Sequence, residues 1–179
     1  MKTAVVVSGL PASGKSTVGR ALARSLAMPL LDKDDILEAL FDSLGVRDAQ
    51  WRALQSRASD GVLEHLALAN DSAVLVSFWR DAETWSDTGT PVEWIGSNAE
   101  RIVEVYCACP PQLALERFEA RARHPGHLDR QQDRHEMLEG LTRLAASGPL
   151  GIGRLVRIDT ARAVDVAELT ARVRAALGG

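Results

Sequence analysis

Two periods of apolar residues alternate along this chain. Short apolar runs, several rich in β-branched residues, recur at Thr3-Ala4-Val5-Val6-Val7-Ser8, Met28-Pro29-Leu30-Leu31, Ala73-Val74-Leu75-Val76-Ser77-Phe78, Arg101-Ile102-Val103-Glu104-Val105-Tyr106-Cys107 and Leu155-Val156-Arg157-Ile158-Asp159. Such runs predict five strands of a buried sheet. Between them, apolar residues fall at spacings of three and four, which predicts helices over Lys15 to Ala27, Ile36 to near Gly45, Ala49 to Ala69, Gln112 to about Arg123, Asp133 to Ala146, and Val164 to Leu177. Pro110-Pro111 suits the first turn of the fourth helix, and His124-Pro125-Gly126-His127 breaks it. In the long helix the apolar face is expected to be Trp51, Leu54, Ala58, Val62, Leu66 and Ala69, with Asp60-Gly61 a weak point at its middle. From Arg80 to Gly96 the chain is polar and reads as a loop with one helical turn. Strands alternating with helices imply an α/β fold: a parallel sheet with helices on both faces. Ligands of such sheets bind beyond the carboxyl ends of the strands. That edge collects Gly9 to Thr17, Asp32 to Asp35, Ser77 to Arg80, Cys109 and Asp159-Thr160.

One of these segments carries specific chemistry. Gly9-Leu10-Pro11-Ala12-Ser13-Gly14-Lys15-Ser16-Thr17 fits G-x-x-x-x-G-K-[ST], a phosphate-binding loop, and lies between a predicted strand and a predicted helix as that motif requires. Gly9 and Gly14 allow backbone conformations that turn successive N–H groups, including those near Ala12, Ser13 and Thr17, toward an anion. The helix that starts there adds its positive dipole end. Lys15 reaches the outer phosphates, and the Ser16 hydroxyl suits Mg²⁺. The loop predicts a nucleoside triphosphate without saying what is done with it.

Composition narrows the class. At 179 residues the chain suits one domain, with 46% hydrophobic and 25% charged residues. A net charge of −3 gives no electrostatic footprint for nucleic acid. No apolar stretch has the length of a membrane span and no leader precedes the first strand, so a cytoplasmic protein is expected. Lysine occurs only at Lys2, Lys15 and Lys33, which draws notice to the last two. Cys107 and Cys109 lie two apart on a strand, poorly placed for a disulfide, and read as buried free thiols.

Two further groups carry candidate chemistry. Phosphoryl transfer to a hydroxyl needs a group that accepts the proton and orients the oxygen, and a carboxylate suits the waters of Mg²⁺. Asp32 and Asp34 stand at the right edge for both tasks; capping of the next helix by Asp34 or Asp35 is the plainer alternative. Strand three carries Ser77 where many such proteins carry a magnesium-linked acid, so Asp32 is the natural substitute. Arg117, Arg121 and Arg123, before the Pro-Gly break, suit a lid that neutralises a transferring phosphoryl group, against the alternative of a solvated helix face. Which arginine does so stays open. Arg80 either meets a polar substrate group or pairs with an acid such as Asp81. Trp51 reads as core, while Trp79, Trp85 and Trp94 stay open between core and substrate. His124, His127 and His135 with Asp129 and Asp133 invite a metal reading, but their spacing fits no zinc pattern.

With these motifs in place, GLPASGKST, LLDKDD, the arginines before RHPGH, and IDT, the chain resembles the small P-loop kinases. These include shikimate and gluconate kinases, the chloramphenicol phosphotransferase and zeta-toxin-like group, and the kinase domain of polynucleotide kinase. The resemblance implies a three-layer P-loop nucleoside-triphosphate hydrolase fold over residues 1–179, a five-stranded parallel sheet of order 2-3-1-4-5, and a helical lid at about 117–135. It implies ATP and Mg²⁺, with Asp34 aligned to the acid that contacts the acceptor hydroxyl and Asp32 near the metal with Ser16. It aligns Arg121 or Arg123 with a catalytic lid arginine, and Arg117, Asp159 and Thr160 with the nucleotide. Arg80 and Trp79 are then candidates on the substrate side. The Gly-rich segment that shikimate kinases carry after strand three is replaced by Ser77-Phe78-Trp79-Arg80, which argues against shikimate. Leu37 stands where polynucleotide kinases carry an arginine. The expected activity is ATP-dependent transfer to a hydroxyl of a metabolite, sugar-like compound or antibiotic. The alternative is a nucleotide-binding ATPase or switch without an acceptor; adenylylsulfate or polynucleotide kinase ranks below both. No N-K-x-D base-reading motif of GTPases is present.

Overall fold

The computed structural model describes residues 1–80, 89–127 and 133–178. Its main sheet has five parallel strands in the order β2-β3-β1-β6-β7, namely Leu30–Asp32, Ser72–Val76, Thr3–Gly9, Arg101–Ala108 and Arg154–Asp159. Counting only these strands in chain order, this is the expected 2-3-1-4-5. Two additional two-residue strands, β4 (Trp79–Arg80) and β5 (Thr90–Pro91), pair with each other apart from it, inside the segment expected to be loop. A short helix, α4 (Glu93–Asn98), follows them.

Alternation within β1 assigns the two layers. Val5 and Val7 face one side, where they pack with α1 (Lys15–Leu26) and α7 (Val166–Gly178) through Val18, Leu22, Leu169 and Val173. Ala4 and Val6 face the other, with Leu63 and Ala67 of α3 (Ala49–Leu68) and Ile95 of α4. A third cluster joins α5 (Pro111–Ala120) to α6 (Arg134–Ser147) through Ala114, Leu115 and Leu141. Close approach of α1 to β3 depends on Gly19, where a Cβ would collide with Val76.

Expectations for three helices are corrected. α2 runs over Lys33–Leu44 rather than from Ile36, and its cap is Asp32: the carboxylate accepts the Asp34 N–H at 3.1 Å. α3 turns a different face inward. Gln55, Ser59, Leu63 and Ala67 are buried, while Leu54, Val62 and Leu66 are exposed. Gln55 can be buried because its Nε2 donates to the carbonyls of Leu40 and Gly45. Trp51 is therefore no core residue: it is half-buried, its Nε1 donates to Gly45 O, and Arg47 stacks on its ring. Asp60-Gly61 leaves α3 unbroken, since Asp60 is engaged by the buried Lys33 at 2.7 Å and by Thr90. α5, finally, ends at Ala120, so Arg121 and Arg123 lie beyond the helix.

The sequence reading assigned no role to Glu104, an acid only 1% exposed in the middle of β6. Its carboxylate accepts from Ser8 Oγ at 2.5 Å, from Leu150 N at 2.8 Å and from Gly151 N at 3.0 Å, tying β1 and β6 to the loop before β7. Glu104→Ala strands these three donors, at roughly 1–3 kcal/mol for a buried group left unpaired. The expected loss is about 3 kcal/mol of unfolding free energy, read from urea denaturation, with Glu104→Gln falling between the two.

Candidate active site

The parallel register brings the strand ends to one edge: Gly9 pairs with Cys107, Asp32 with Val76, and Ala108 with Asp159. The phosphate-binding loop leaves β1 there. Gly9 has φ 132°, and a Cβ on it would lie 2.6 Å from Cys107 O. Ala12 sits at φ 58° and Gly14 at φ 95°, so the chain turns through three left-handed positions before α1. Gly14 caps α1 without a side chain, which leaves the first N–H groups of that helix available to an anion. Ser13 is fully buried and its Oγ has no hydrogen-bond partner. Ser16 is half-buried and Thr17 exposed at the start of α1.

Lys15 is folded back over this loop. Its Nζ donates to Gly9 O at 3.1 Å and to Leu10 O at 2.8 Å. Burial pushes its pKa down to about 8; Arg121 adds to the depression, and Cys107, Asp34 and Asp32 oppose it. Asp32 is 4% exposed. Burial raises its pKa, and the nearby Asp35 and Asp34 add to the rise, while the Ser16 hydroxyl and the Asp34 N–H pull it back. Asp32 Oδ2 is buried and makes no formed hydrogen bond. An anionic oxygen left in that state beside Ser16 fits a site for the waters of a divalent cation.

Asp34 is free of capping duty, because Asp32 performs it. Its Oδ2 instead meets Arg123 Nη2 at 3.1 Å. Asp35 turns outward to Arg20 of α1 at 2.8 Å. The chain after α5 is thus pinned to α2 at helical spacing. Asp34, Glu38, Phe41 and Asp42 share one face of α2, and Arg123, His124, Gly126 and His127 lie against it. His127 Nε2 meets Glu38 Oε1 at 2.9 Å and His124 Nε2 meets Asp42 Oδ1 at 3.2 Å. The two imidazoles flank the Phe41 ring, one stacked at 5.2 Å and one edge-on at 5.4 Å.

The remaining candidates fall in three places. Arg117 donates to Thr160 O at 2.9 Å, beside the end of β7, where Thr160 is buried and Asp159 exposed. Arg121 and Arg123 both approach the Phe118 ring, at 5.0 Å and 6.0 Å. Arg80 is half-buried on β4. Trp79 is a correction: it is 6% exposed, packs in the core, and donates its Nε1–H to Val7 O at 2.9 Å, so it lines no open surface. Trp94 packs partly buried on the same cluster. Ser77 Oγ pairs with Thr90 Oγ1. Cys107 and Cys109 are free and buried, with burial pushing the Cys107 thiol up to about 12. The three histidines each take a different acid (His135 pairs with Glu139), and no group of three ligand side chains gathers among the described residues. Asp81, Trp85 and Asp129 lie outside the described residues. No helix among those described is long and apolar enough to cross a membrane.

The sequence reading passed over Glu38 and the contact surface of Phe41. The i, i+4, i+7, i+8 spacing from Asp34 was the available signal, but it becomes visible only once α2 is known to start at Lys33.

Comparison with known proteins bears on the family and the fold. The AAA domain family matches residues 5–144. A shikimate kinase of Corynebacterium glutamicum is 47% identical over 109 residues, covering 54% of this chain and 59% of that protein. Matches to two further shikimate kinases span only 16% and 22% of those proteins, so the chain spans less than two thirds of the length of each of these curated relatives. Among solved structures, a protein of Chloroflexus aurantiacus described as a candidate kinase superposes with a TM-score of 0.79 at 28% identity, over 98% of both chains. A shikimate kinase of Acinetobacter baumannii in complex with shikimate superposes with a TM-score of 0.63 at 17% identity, over 97% of this chain and 92% of that one, a likeness of fold alone.

The fit of the post-α5 strap against α2 depends on Gly126, where a Cβ would stand 2.5 Å from the Phe41 ring. Gly126→Ala is expected to push the strap off α2 at a cost of roughly 1–3 kcal/mol. Thermal unfolding reads the loss, and Phe41→Leu, which makes room, should recover part of it.

Proposed function

The chain belongs to this AAA-domain family of P-loop kinases, and on that premise we propose that it transfers the γ-phosphoryl group of ATP to a hydroxyl of a small metabolite. One observation carries the reading: Asp34 is released from capping and stands at the same strand-end edge as the loop, near enough to act on the charge of Lys15. In this role Asp34 accepts the acceptor hydroxyl's proton and orients its oxygen. The loop amides and Lys15 hold the β- and γ-phosphates, and Arg121, whose charge also bears on Lys15, adds positive charge where the transferring group develops negative charge. Arg117 and Thr160 border the nucleotide at the end of β7.

Ser16 and, through water, Asp32 would hold Mg²⁺, whose chemistry is to shield and polarise the phosphate oxygens. The orphaned Asp32 Oδ2 supports that assignment.

Shikimate kinases among the sequence relatives and the general fold favour a polyhydroxylated, sugar-like or ring acceptor. The Ser77–Arg80 segment, with Trp79 in the core, argues against shikimate itself. A panel of shikimate, gluconate, other sugar acids and hydroxylated antibiotics, followed by coupled ADP release with and without Mg²⁺, identifies the acceptor.

Asp34→Ala is expected to lower acceptor-dependent ADP formation by roughly 100-fold or more while ATP affinity stays within a few-fold. Undiminished acceptor-dependent turnover in that variant overturns the reading in favour of a nucleotide-binding ATPase.

The low pKa of Lys15 gives a second test. Phosphates favour the charged amine, so above pH 8 binding must restore a proton that the free protein has lost. Calorimetric titration with ATP in buffers of different ionisation enthalpy should show uptake of close to one proton at about pH 9 and almost none at pH 7. Affinity should fall as pH rises through 8. Lys15→Met should abolish the uptake at both pH values.

A further inference from the structure

The geometry points to His127, backed by Glu38, as a positioning residue for phosphoryl transfer: it holds Arg123 against the Asp34 carboxylate. This rests on the kinase reading above. The strap carries a continuous chain of polar contacts, Glu38 Oε1 to His127 Nε2 at 2.9 Å, His127 Nδ1 to Arg123 Nη2 at 2.9 Å, and Arg123 Nη2 to Asp34 Oδ2 at 3.1 Å. Donor chemistry fixes its direction. A guanidinium nitrogen only donates, so Nδ1 of His127 must accept. A carboxylate only accepts, so Nε2 must carry the hydrogen. Arg123 Nη2 also lies 3.4 Å from Nε2, so the guanidinium stands alongside the ring, and the neutral Nε2–H tautomer is the one that suits the guanidinium and the Glu38 carboxylate together.

Burial makes that arrangement stiff. The His127 side chain is 2% exposed and Arg123 17%, whereas Asp34 at 48% remains open to the crevice. The Phe41 ring stands edge-on to His127, and Gly126 admits that ring at a distance where any side chain would clash. The guanidinium is thus fixed from behind and presents its charge to the accessible Asp34 carboxylate. Arg123 holds the Asp34 carboxylate in one orientation, as an acceptor of the hydroxyl proton must be held. His127 touches neither substrate nor nucleotide in this scheme; it acts through Arg123. The two lid arginines divide accordingly: Arg123 serves the acceptor side and Arg121 the phosphate side.

The test pairs kinetics with nitrogen NMR on the full chain. With Mg²⁺-ATP and the hydroxyl panel above as probes, His127→Leu should lower acceptor-dependent kcat by about 10- to 100-fold, while the dissociation constant for ATP changes less than about threefold. His127→Asn, which keeps an oxygen near the Nδ1 position, should recover a large part of that loss. Glu38→Ala, at a half-exposed position, should act in the same direction with a smaller effect and guards against a His127 variant that fails to fold. In an Arg123→Ala background neither substitution should lower kcat further, because the path runs through the missing guanidinium. In the wild-type protein, ¹⁵N-histidine spectra should show His127 as the neutral Nε2–H tautomer at pH 7, with the Nδ1 resonance moving in Arg123→Ala. Additive losses in the double variants, an equal loss in ATP affinity, or an Nδ1–H tautomer overturns the positioning role and leaves the kinase reading intact. A wild-type protein that shows the expected tautomer but phosphorylates nothing in the panel overturns the proposal by way of the kinase reading.

Discussion

The Asp32 carboxylate accepts the Asp34 N–H, and much of the site depends on that one bond. A helix cap sets where the helix begins, and so which residues it includes. With Asp32 at the cap and Lys33 first in α2, positions 34, 38, 41 and 42 come to one side, spaced by three and four. Had Asp34 or Asp35 been the cap, its carboxylate would have been bound to the backbone, and the face would have been assembled from other residues. The cap also closes one oxygen of Asp32 and leaves the other buried and open beside Ser16. A single side chain therefore ends β2, starts α2, releases its neighbour Asp34 and supplies a carboxylate oxygen suited to water on a cation.

Part of the unsatisfied polarity among the described residues lies at the same edge, the rest being Arg52 Nε and Gln55 Oε1 on α3. Ser13 Oγ and Asp32 Oδ2 are buried without formed bonds, Lys15 is buried against loop carbonyls, and Ala12 holds a left-handed conformation that side chains disfavour. Each costs free energy in the unliganded protein, of the order of 1–3 kcal/mol for a buried unpaired group or a strained backbone. Core packing elsewhere must offset it, and the sheet supplies that packing: Val5, Val6 and Val7 are fully buried between two helical layers. Glu104 shows the contrast. It is buried at 1% exposure, but three donors satisfy it, so it reads as a structural tie rather than a site.

The sheet was legible because its signal is local and redundant. β-branched runs that alternate with amphipathic stretches admit few topologies, and the loop motif fixes the first βα unit. The α3 face was misread for a physical reason. Periodicity assumes that apolar residues go inward, and here the inward row includes Gln55 and Ser59, buried because nearby carbonyls accept from them. The outward row shifts by about one residue, roughly 100° around the helix. Asp34, Lys15, Ser16 and Asp32 were recoverable as candidates because their positions follow strand ends. Glu38 was not, since its role comes from a partner 89 residues away. Trp79 misled in the opposite sense: it sits in the right segment, but its indole N–H finds a strand carbonyl and its ring joins the core.

The two arginines after α5 show how a short break in a helix divides labour. Had α5 continued past Ala120, Arg121 and Arg123 would have stood about 200° apart and could not both have faced the crevice. The helix instead stops, and Arg121 takes an extended conformation at φ −84° and ψ 138°. Residues two apart on an extended chain point the same way, so both guanidiniums come to the Phe118 ring. From that shared platform the nearer charges sort them. Arg123 is drawn to Asp34 and held by His127, while the charge of Arg121 is felt at Lys15. On the proposed reading, a triphosphate at the loop would meet Lys15, with Arg123 engaged by Asp34. The proline at position 125, which disfavours helix at the residue before it, keeps α5 from resuming ahead of the strap.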